Sequence, residues 1–194
     1  MTTGWTPVAL SRDVPAGVTR AVLLDGRELV IWRGDGGAHV WEDRCSHRGM
    51  RLSLGFVRDN SLNCLYHGWQ YGAASSCIRI PAHPDLTVPP TIKANAYEAA
   101  EAGGLIWVRL AGTDALPPLP VDPTPVLSLA IEVEGLDSPS PVIPFEGAQL
   151  HLRWHRVGLG RIMVHAVLDG AADVARAAAL LRDMRNDMEQ GAAA

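Results

Sequence analysis

The sequence contains few cysteines, no excess of basic residues and no long apolar run. Three cysteines in 194 residues are too few for a disulfide scaffold, and they favour metal or redox chemistry instead. The 17 basic residues against 21 acidic ones provide no electrostatic footprint for nucleic acid. No stretch approaches the ~18 apolar residues that cross a bilayer, and the first residues lack the apolar core of a signal peptide. We therefore expect a cytoplasmic protein with no nucleic-acid or membrane partner.

Short β-strands are predicted for the first 110 residues. Hydrophobic residues make up 47% of the chain, which is enough for a packed core. Asp25-Gly26 and Asp35-Gly36 interrupt apolar runs that are rich in Val, Leu, Ile and Trp, and Asp-Gly pairs favour hairpin turns. The predicted strands are 20–24, 28–33, 38–42, 62–66, 77–80 and 104–110.

The remaining residues divide into a proline-rich segment, a hairpin and a helix. Eight prolines lie between residues 117 and 144, which predicts an extended linker. Apolar residues alternate over 148–168, the pattern of a hairpin. Apolar residues then recur every three or four positions, as in a helix, with Asp173 in the first turn. The predicted organisation is a first domain at 1–112, a linker at 113–147 and a hairpin-plus-helix extension at 148–194 that docks on a partner.

Two short motifs each offer a thiol and an imidazole: Cys45-Ser46-His47-Arg48-Gly49 and Cys64-Leu65-Tyr66-His67-Gly68-Trp69. Sixteen residues separate His47 from Cys64. Two Cys and two His can hold a tetrahedral zinc ion or a two-iron cluster with both histidines on one iron. Structural zinc sites usually pair like ligands in each knuckle, whereas both loops here are mixed. The spacing therefore favours the two-iron cluster, and zinc is the alternative.

The spacing C-x-H followed by C-x-x-H resembles the Rieske iron–sulfur signature, and RCSHRG and CLYHGWQY are similar to the cluster loops of Rieske non-haem iron oxygenases. The resemblance continues through residues 77–84 and ends near residue 108. It implies a mostly β fold, with a Rieske-type antiparallel β sandwich and cluster-binding loops, followed here by a C-terminal α+β extension. It also implies a Rieske-type [2Fe-2S] cluster, with Cys45 and Cys64 on the inner iron and His47 and His67 on the outer iron.

Three positions near the motifs distinguish subfamilies of Rieske proteins. Met50 and Leu65 stand where high-potential members carry two further cysteines, so no loop disulfide is expected. Trp69 stands where those members carry a hydroxyl group that donates to a bridging sulfide. Both differences remove polarity around the cluster, which predicts a reduction potential at the low end of the Rieske range, about −150 mV.

The other cysteine and several histidines receive no role from the sequence. Cys77 is predicted to be a buried apolar thiol outside the cluster. His151 and His155 share one strand face about 13 Å apart, and the role of His165 stays open. A catalytic mononuclear iron needs two histidines and a carboxylate as a facial triad. The D/E-x2-H-x4-H-like motif that supplies this triad in the family does not occur in the sequence, so we expect no catalytic residues on this chain.

The resemblance and the missing triad together imply the Rieske-bearing subunit of a split oxygenase. Electrons would pass from a reductase or ferredoxin through this chain to a mononuclear Fe(II) on a catalytic partner subunit. The expected reaction is hydroxylation or oxidative N-demethylation of a small aromatic-type substrate, by architectural analogy with two-polypeptide phenylurea N-demethylases. The family arrangement implies a hetero-oligomer with three copies of each chain. A stand-alone Rieske-type ferredoxin with an accessory domain and a truncated oxygenase without function are the alternatives.

Overall fold

The computed structural model describes residues 4–136 and 141–192 and divides into two compact units. The first, here called the loop unit, comprises residues 14–23 and 27–100 and contains both Cys/His motifs. The second, here called the helix unit, comprises residues 4–13, 24–26, 101–136 and 141–192. Within the part of the chain that the structure describes, no helix has both the length and the apolar character needed to cross a membrane.

The elements follow one another along the chain as strands and then a single long helix. They are β1 Trp5–Leu10, β2 Thr19–Leu24, β3 Arg27–Gly34, β4 Gly37–Glu42, β5 Phe56–Arg58, β6 Ser61–Asn63, β7 Gln70–Gly72, β8 Cys77–Arg79, β9 Ala96–Ala102, β10 Leu105–Arg109, β11 Thr124–Ile131, β12 Val142–Phe145, β13 Ala148–Gly158, β14 Arg161–Asp169 and α1 Val174–Ala192. The mostly β fold with a C-terminal helix confirms the predicted fold class.

Antiparallel strands form the loop unit. Strands β2, β3 and β4 lie side by side, and the start of β9 pairs with β4. A small second sheet has the order β5-β6-β7-β8. Asp25 and Gly26, between β2 and β3, have φ angles of 54° and 77°, the left-handed conformation that two-residue hairpin turns require. The local turn signal therefore predicted this hairpin correctly.

The strand predicted at 62–66 is shorter than expected. Strand β6 ends at Asn63, and the N–H of Cys64 donates to the carbonyl of Trp69 at 2.9 Å. This hydrogen bond closes a loop instead of extending the ladder. The apolar run through Leu65 and Tyr66 is exposed, because it belongs to the loop and not to the core.

Aromatic side chains dominate the core of the loop unit. Trp32 and Trp41 are almost completely buried and meet edge to face, with 5.0 Å between ring centroids. Tyr71 is also fully buried and meets Trp41 at 6.5 Å in the same orientation. Fully burying one large apolar side chain contributes about 1.5–3 kcal/mol. This core is the rigid support on which the two Cys/His loops stand.

The helix unit contains a four-stranded antiparallel sheet with the order β11-β14-β13-β12. Its long central hairpin, β13–β14, confirms the hairpin that alternation predicted over 148–168. Helix α1 buries Ala177, Ala178 and Leu181 in the same apolar core as Leu150 and Leu168. The hairpin and the helix therefore stabilise each other within one module.

The structure differs from the linker expected at 113–147, because this segment contains strands β11 and β12. Both are edge strands of the four-stranded sheet. Pro125 lies at a register shift in β11, and Pro144 lies in β12. Proline has no N–H to donate to a ladder, so edges and bulges are the positions in a sheet that accept it. The prolines here mark sheet edges and not only an extended crossing.

Asp173 caps α1 from just outside the helix, and not from within its first turn as the sequence suggested. Its Oδ1 accepts hydrogen bonds from the N–H groups of Ala175 (2.8 Å) and Arg176 (3.2 Å). These amides have no partner inside the helix, and such a cap contributes about 1 kcal/mol. The helix therefore begins at Val174 because Asp173 satisfies its first turn.

Candidate metal centre

The first Cys/His loop is a tight turn. The N–H of Cys45 donates to the carbonyl of Met50 (2.8 Å), and the N–H of Gly49 donates to the carbonyl of Cys45 (2.9 Å). Gly49 has a φ angle of 73°, which side chains with a Cβ rarely adopt. The turn directs the Cys45 thiol into the core and leaves His47 partly exposed.

The second loop contains the same two backbone hydrogen bonds, counted from its cysteine, as the first. The N–H of Cys64 donates to the carbonyl of Trp69 (2.9 Å), and the N–H of Gly68 donates to the carbonyl of Cys64 (3.0 Å). Gly68 has a φ angle of 68°, and a Cβ there would lie 3.1 Å from Cγ of Pro81. In both loops a glycine four residues after the cysteine allows the turn to close.

The four predicted ligand side chains form two pairs. Cys45 and Cys64 are each 2% exposed and belong to one apolar core. His47 and His67 lie toward solvent, with 4.7 Å between their ring centroids. Within residues 4–136 and 141–192, no three His, Cys, Asp or Glu side chains gather around one metal position. The arrangement is thus a buried thiol pair and a surface imidazole pair.

The pKa shifts of these groups follow from their burial and their charged neighbours. Loss of hydration lowers the pKa of His47, and the positive charges of His67 and Arg48 lower it further. A neutral imidazole has the free lone pair that a metal ligand requires. Burial raises the pKa of the Cys64 thiol, and the neighbouring Cys45 adds to this effect. Thiols of this kind become thiolates when a metal cation binds them.

Tyr71 approaches the first thiol, a contact that sequence reasoning missed. Its hydroxyl lies 3.1 Å from Sγ of Cys45 and 2.9 Å from Oγ of Ser46. Burial, followed by the contact with Cys45, raises the pKa of Tyr71, so the phenol keeps its proton. The only sequence signal was a tyrosine in the strand that follows the second loop. The Tyr71 hydroxyl thus places a polar group beside the thiol, although Trp69 carries no hydroxyl.

Two aromatic rings lie against the imidazoles. The indole of Trp69 stacks on His47 with 4.4 Å between centroids and 5° between planes. The ring of Tyr66 lies 3.8 Å from that of His67. Such contacts restrict the rotation of both imidazoles. Both aromatic residues belong to the second loop, so this loop orients the imidazole of the first loop as well as its own.

Cys77 is buried among apolar side chains, as the sequence predicted. It is 4% exposed and lies in the same core cluster as Cys45 and Cys64. Its Sγ lies 3.6 Å from the carbonyl oxygen of Arg79. Burial raises the pKa of this thiol, so it stays protonated and unreactive at neutral pH.

The histidines of the extension lie in the helix unit. His155 and His165 stack with 5.3 Å between ring centroids, and Nε2 of His165 lies 3.3 Å from Nδ1 of His155. Nδ1 of His155 donates to the carbonyl of Pro7 at 2.8 Å. His151 lies 3.8 Å from a carboxylate oxygen of Asp169. Sequence reasoning considered His151 with His155, whereas the structure pairs His155 with His165.

Comparison with known proteins finds a family match over part of the chain. Residues 4–90 match the Rieske [2Fe-2S] domain. The chain is 41% identical over 108 residues to the oxidoreductase NdmD of Pseudomonas putida, which is 55% of this chain and 18% of that protein. It is 41% identical over 90 residues to the methylxanthine N1-demethylase NdmA of the same organism, 46% of this chain and 26% of that protein. A 3-chlorobenzoate-3,4-dioxygenase oxygenase subunit of Comamonas testosteroni is 34% identical over 119 residues, 60% of this chain and 28% of that protein. The chain thus spans only between 18% and 28% of the length of these curated relatives.

Solved structures extend the likeness in fold beyond the matched domain. A theobromine complex of an NdmA mutant from Pseudomonas putida CBB5 covers 95% of this chain and 80% of its own, with a TM-score of 0.76 and 20% identity. Dicamba monooxygenase covers 86% of this chain and 75% of its own, with a TM-score of 0.68 and 15% identity. Since residues 4–90 make up less than half of the chain, the likeness in fold includes much of the helix unit.

Proposed function

We propose that this chain is the electron-transfer component of a multicomponent oxygenase. The proposal starts from the match of residues 4–90 to the Rieske [2Fe-2S] domain and from relatives that include oxygenase subunits and demethylases. The observation that carries the proposal is the division of the four motif side chains into a buried thiol pair and a surface imidazole pair. A [2Fe-2S] cluster with histidines on one iron needs this division, whereas a tetrahedral zinc site gathers four ligands around one ion.

The ligand set proposed for the cluster is the one read from the motifs. Cys45 and Cys64 bind the inner iron through Sγ, and His47 and His67 bind the outer iron through one ring nitrogen each. The bound cluster supplies storage for one electron. The core around the two thiols excludes water, and the two imidazoles are the groups through which an electron can leave toward a partner.

The proposed acceptor is a mononuclear Fe(II) on a catalytic partner subunit, and the proposed donor is a reductase or a ferredoxin. The relatives NdmA and NdmB are methylxanthine demethylases, and another relative is a dioxygenase oxygenase subunit. These names support hydroxylation or oxidative N-demethylation of a small aromatic-type substrate as the reaction of the assembly. The part of the chain proposed to dock on the partner is the hairpin-plus-helix extension, which packs its own apolar core.

A stand-alone electron carrier is the second candidate. One observation favours it: sequence identity to NdmD, NdmA and the dioxygenase subunit covers 90–119 residues, which is close to the extent of the Rieske part alone. A carrier of this kind would exchange electrons with several proteins and form no stable complex. The two candidates share the cluster and differ in the partner.

The first experiment tests the cluster. The full chain, purified without oxygen, should be brown and contain two irons and two acid-labile sulfides. His67→Cys should keep a cluster but shift its spectrum and lower its potential, because a thiolate replaces a neutral imidazole. His83→Cys is the matched control, since His83 is an exposed histidine outside the two loops. A colourless protein with one zinc ion, or an unchanged potential in His67→Cys, would refute the ligand assignment.

The second experiment separates the two candidate functions. The chain is co-expressed with an iron-binding oxygenase chain that lacks its own C-x-H loop, the product of a neighbouring gene being the first choice. Co-elution in size exclusion and turnover that requires both chains would support the oxygenase component. A chain that stays monomeric beside this partner, together with turnover that does not depend on it, would contradict that reading and favour the carrier.

A further inference from the structure

A cavity of about 270 Å³ lies beside the first loop, and we propose that it binds a small dianion such as phosphate or a short dicarboxylate. Three cations line it, together with one acidic residue and the loop that contains two of the proposed ligands. These lining residues are Arg44, Arg48, Lys93, Glu42, Cys45 and His47. All of them belong to the loop unit, so the site is complete within one compact part of the chain.

The charges around the cavity do not balance. Across the described parts of the chain, Arg44, Arg48 and Lys93 make no ion pair with a carboxylate. The single acid in the lining, Glu42, accepts a hydrogen bond from the side-chain amide of Asn95 at 3.2 Å. Three positive charges therefore face one negative charge, and a dianion would neutralise the excess.

The three cations are exposed side chains that reach the cavity from two separate segments of the chain. A Cβ added at Gly49 would lie 3.4 Å from Nε of Arg44, so this guanidinium lies against the glycine that closes the loop. Lys93 comes from a different segment, whose backbone pairs with Ser76 in an isolated bridge. An anion in the cavity would therefore contact cations from both sides while its outer face stays open to solvent.

Occupancy of the cavity would affect the cluster directly, and this part of the inference rests on the proposed ligand set. Cys45 and His47 form part of the cavity wall. A Rieske cluster with two thiolate ligands is neutral when oxidised and carries one negative charge when reduced. A bound dianion therefore repels the reduced form more than the oxidised form. By linkage, reduction must weaken anion binding by the same factor by which the anion disfavours reduction.

Isothermal titration of the oxidised, cluster-loaded chain with inorganic phosphate tests the site. Ionic strength is kept constant with chloride. We expect saturable binding of one phosphate per chain and about tenfold weaker binding in Lys93→Gln and in Arg48→Gln. Arg182→Gln, an exposed arginine of α1, is the matched control and should bind as the unaltered chain does. No saturable binding, or an equal loss in the control, would overturn the proposal.

A redox titration provides the second measurement. Phosphate should lower the potential of the unaltered chain, and a tenfold weaker affinity of the reduced form corresponds to 59 mV for one electron. Lys93→Gln, which leaves both Cys/His loops intact, should abolish the shift. A potential that phosphate leaves unchanged would refute the coupling. Both measurements use the isolated chain, so their result does not depend on whether the partner assay succeeds. Conversely, the absence of phosphate binding would not contradict the proposed electron transfer to a partner.

Discussion

Replacing Tyr71 with phenylalanine is expected to lower the reduction potential of the bound cluster. The Tyr71 hydroxyl lies 3.1 Å from Sγ of Cys45, and the side chain is fully buried. Because burial raises the pKa of Tyr71, the hydroxyl keeps its proton and can donate it to the sulfur. Reduction adds negative charge to the cluster, and a hydrogen-bond donor to a ligand sulfur stabilises the reduced form more than the oxidised form.

The size of the shift follows from the strength of this hydrogen bond. A hydrogen bond to a charged group contributes about 1.5–3 kcal/mol. If about half of that amount distinguishes the two redox states, the difference is about 1 kcal/mol. A one-electron potential changes by 59 mV for each factor of ten, which is about 1.4 kcal/mol, so the potential should fall by about 40 mV.

The assay is a redox titration followed by electron paramagnetic resonance, with Tyr66→Phe as the control. Tyr66 is 58% exposed and lies against the ring of His67, so this substitution removes a phenol near the cluster but not one that contacts a thiol. Tyr71→Phe must first show full cluster content. A shift no larger than that of the control, or a rise in potential, would refute the reasoning.

Asp173→Ala should lower the free energy of unfolding by about 1 kcal/mol, because the carboxylate caps α1. Asp173→Asn should keep most of the stability that the cap provides, because an Asn side chain also accepts hydrogen bonds from the first amides of a helix. Urea denaturation measures both free energies. Gly68→Ala should reduce cluster content, because the φ angle at Gly68 is 68° and a Cβ there would lie 3.1 Å from the ring of Pro81. Gly36→Ala is the control and should leave cluster content unchanged, because no atom lies within 4 Å of a Cβ at that position. Sulfide analysis after matched expression measures the cluster content of both variants. Burial, and then the charge of Arg153, lower the pKa of His151, so the folded state favours the neutral ring. The free energy of unfolding should therefore be unaffected by His151 above about pH 6.5 and should fall as the pH drops below that value, because the unfolded chain then binds a proton that the folded chain resists. His151→Gln should make the free energy of unfolding, measured by urea denaturation from about pH 8 to pH 5, less dependent on pH in this range.

Sequence reasoning was accurate where adjacent residues determine the structure. Asp25-Gly26 forms the left-handed turn that the Asp-Gly pair predicts, and the C-x-H and C-x-x-H spacings predicted the match of residues 4–90 to the Rieske [2Fe-2S] domain. The alternation over 148–168 predicted the hairpin for the same reason, since a period of two is local information.

Contacts between distant residues could not be read from the sequence. The Tyr71 hydroxyl reaches a thiol 26 positions earlier in the chain, and only the folded core brings the two together. The prolines of 113–147 gave no sign that Pro125 and Pro144 lie in paired strands. Strand β11 forms because β14, which follows it in the sequence, provides a ladder, and proline is tolerated at that edge.

The matching turns of the two Cys/His loops also indicate which of their positions can vary. Each cysteine is held by two backbone hydrogen bonds within its own turn. These bonds do not depend on the identity of the side chains that face solvent. Exposed positions such as Arg48 and Leu65 can therefore change without moving the two buried thiols, whereas Gly49 and Gly68, with their positive φ angles, cannot.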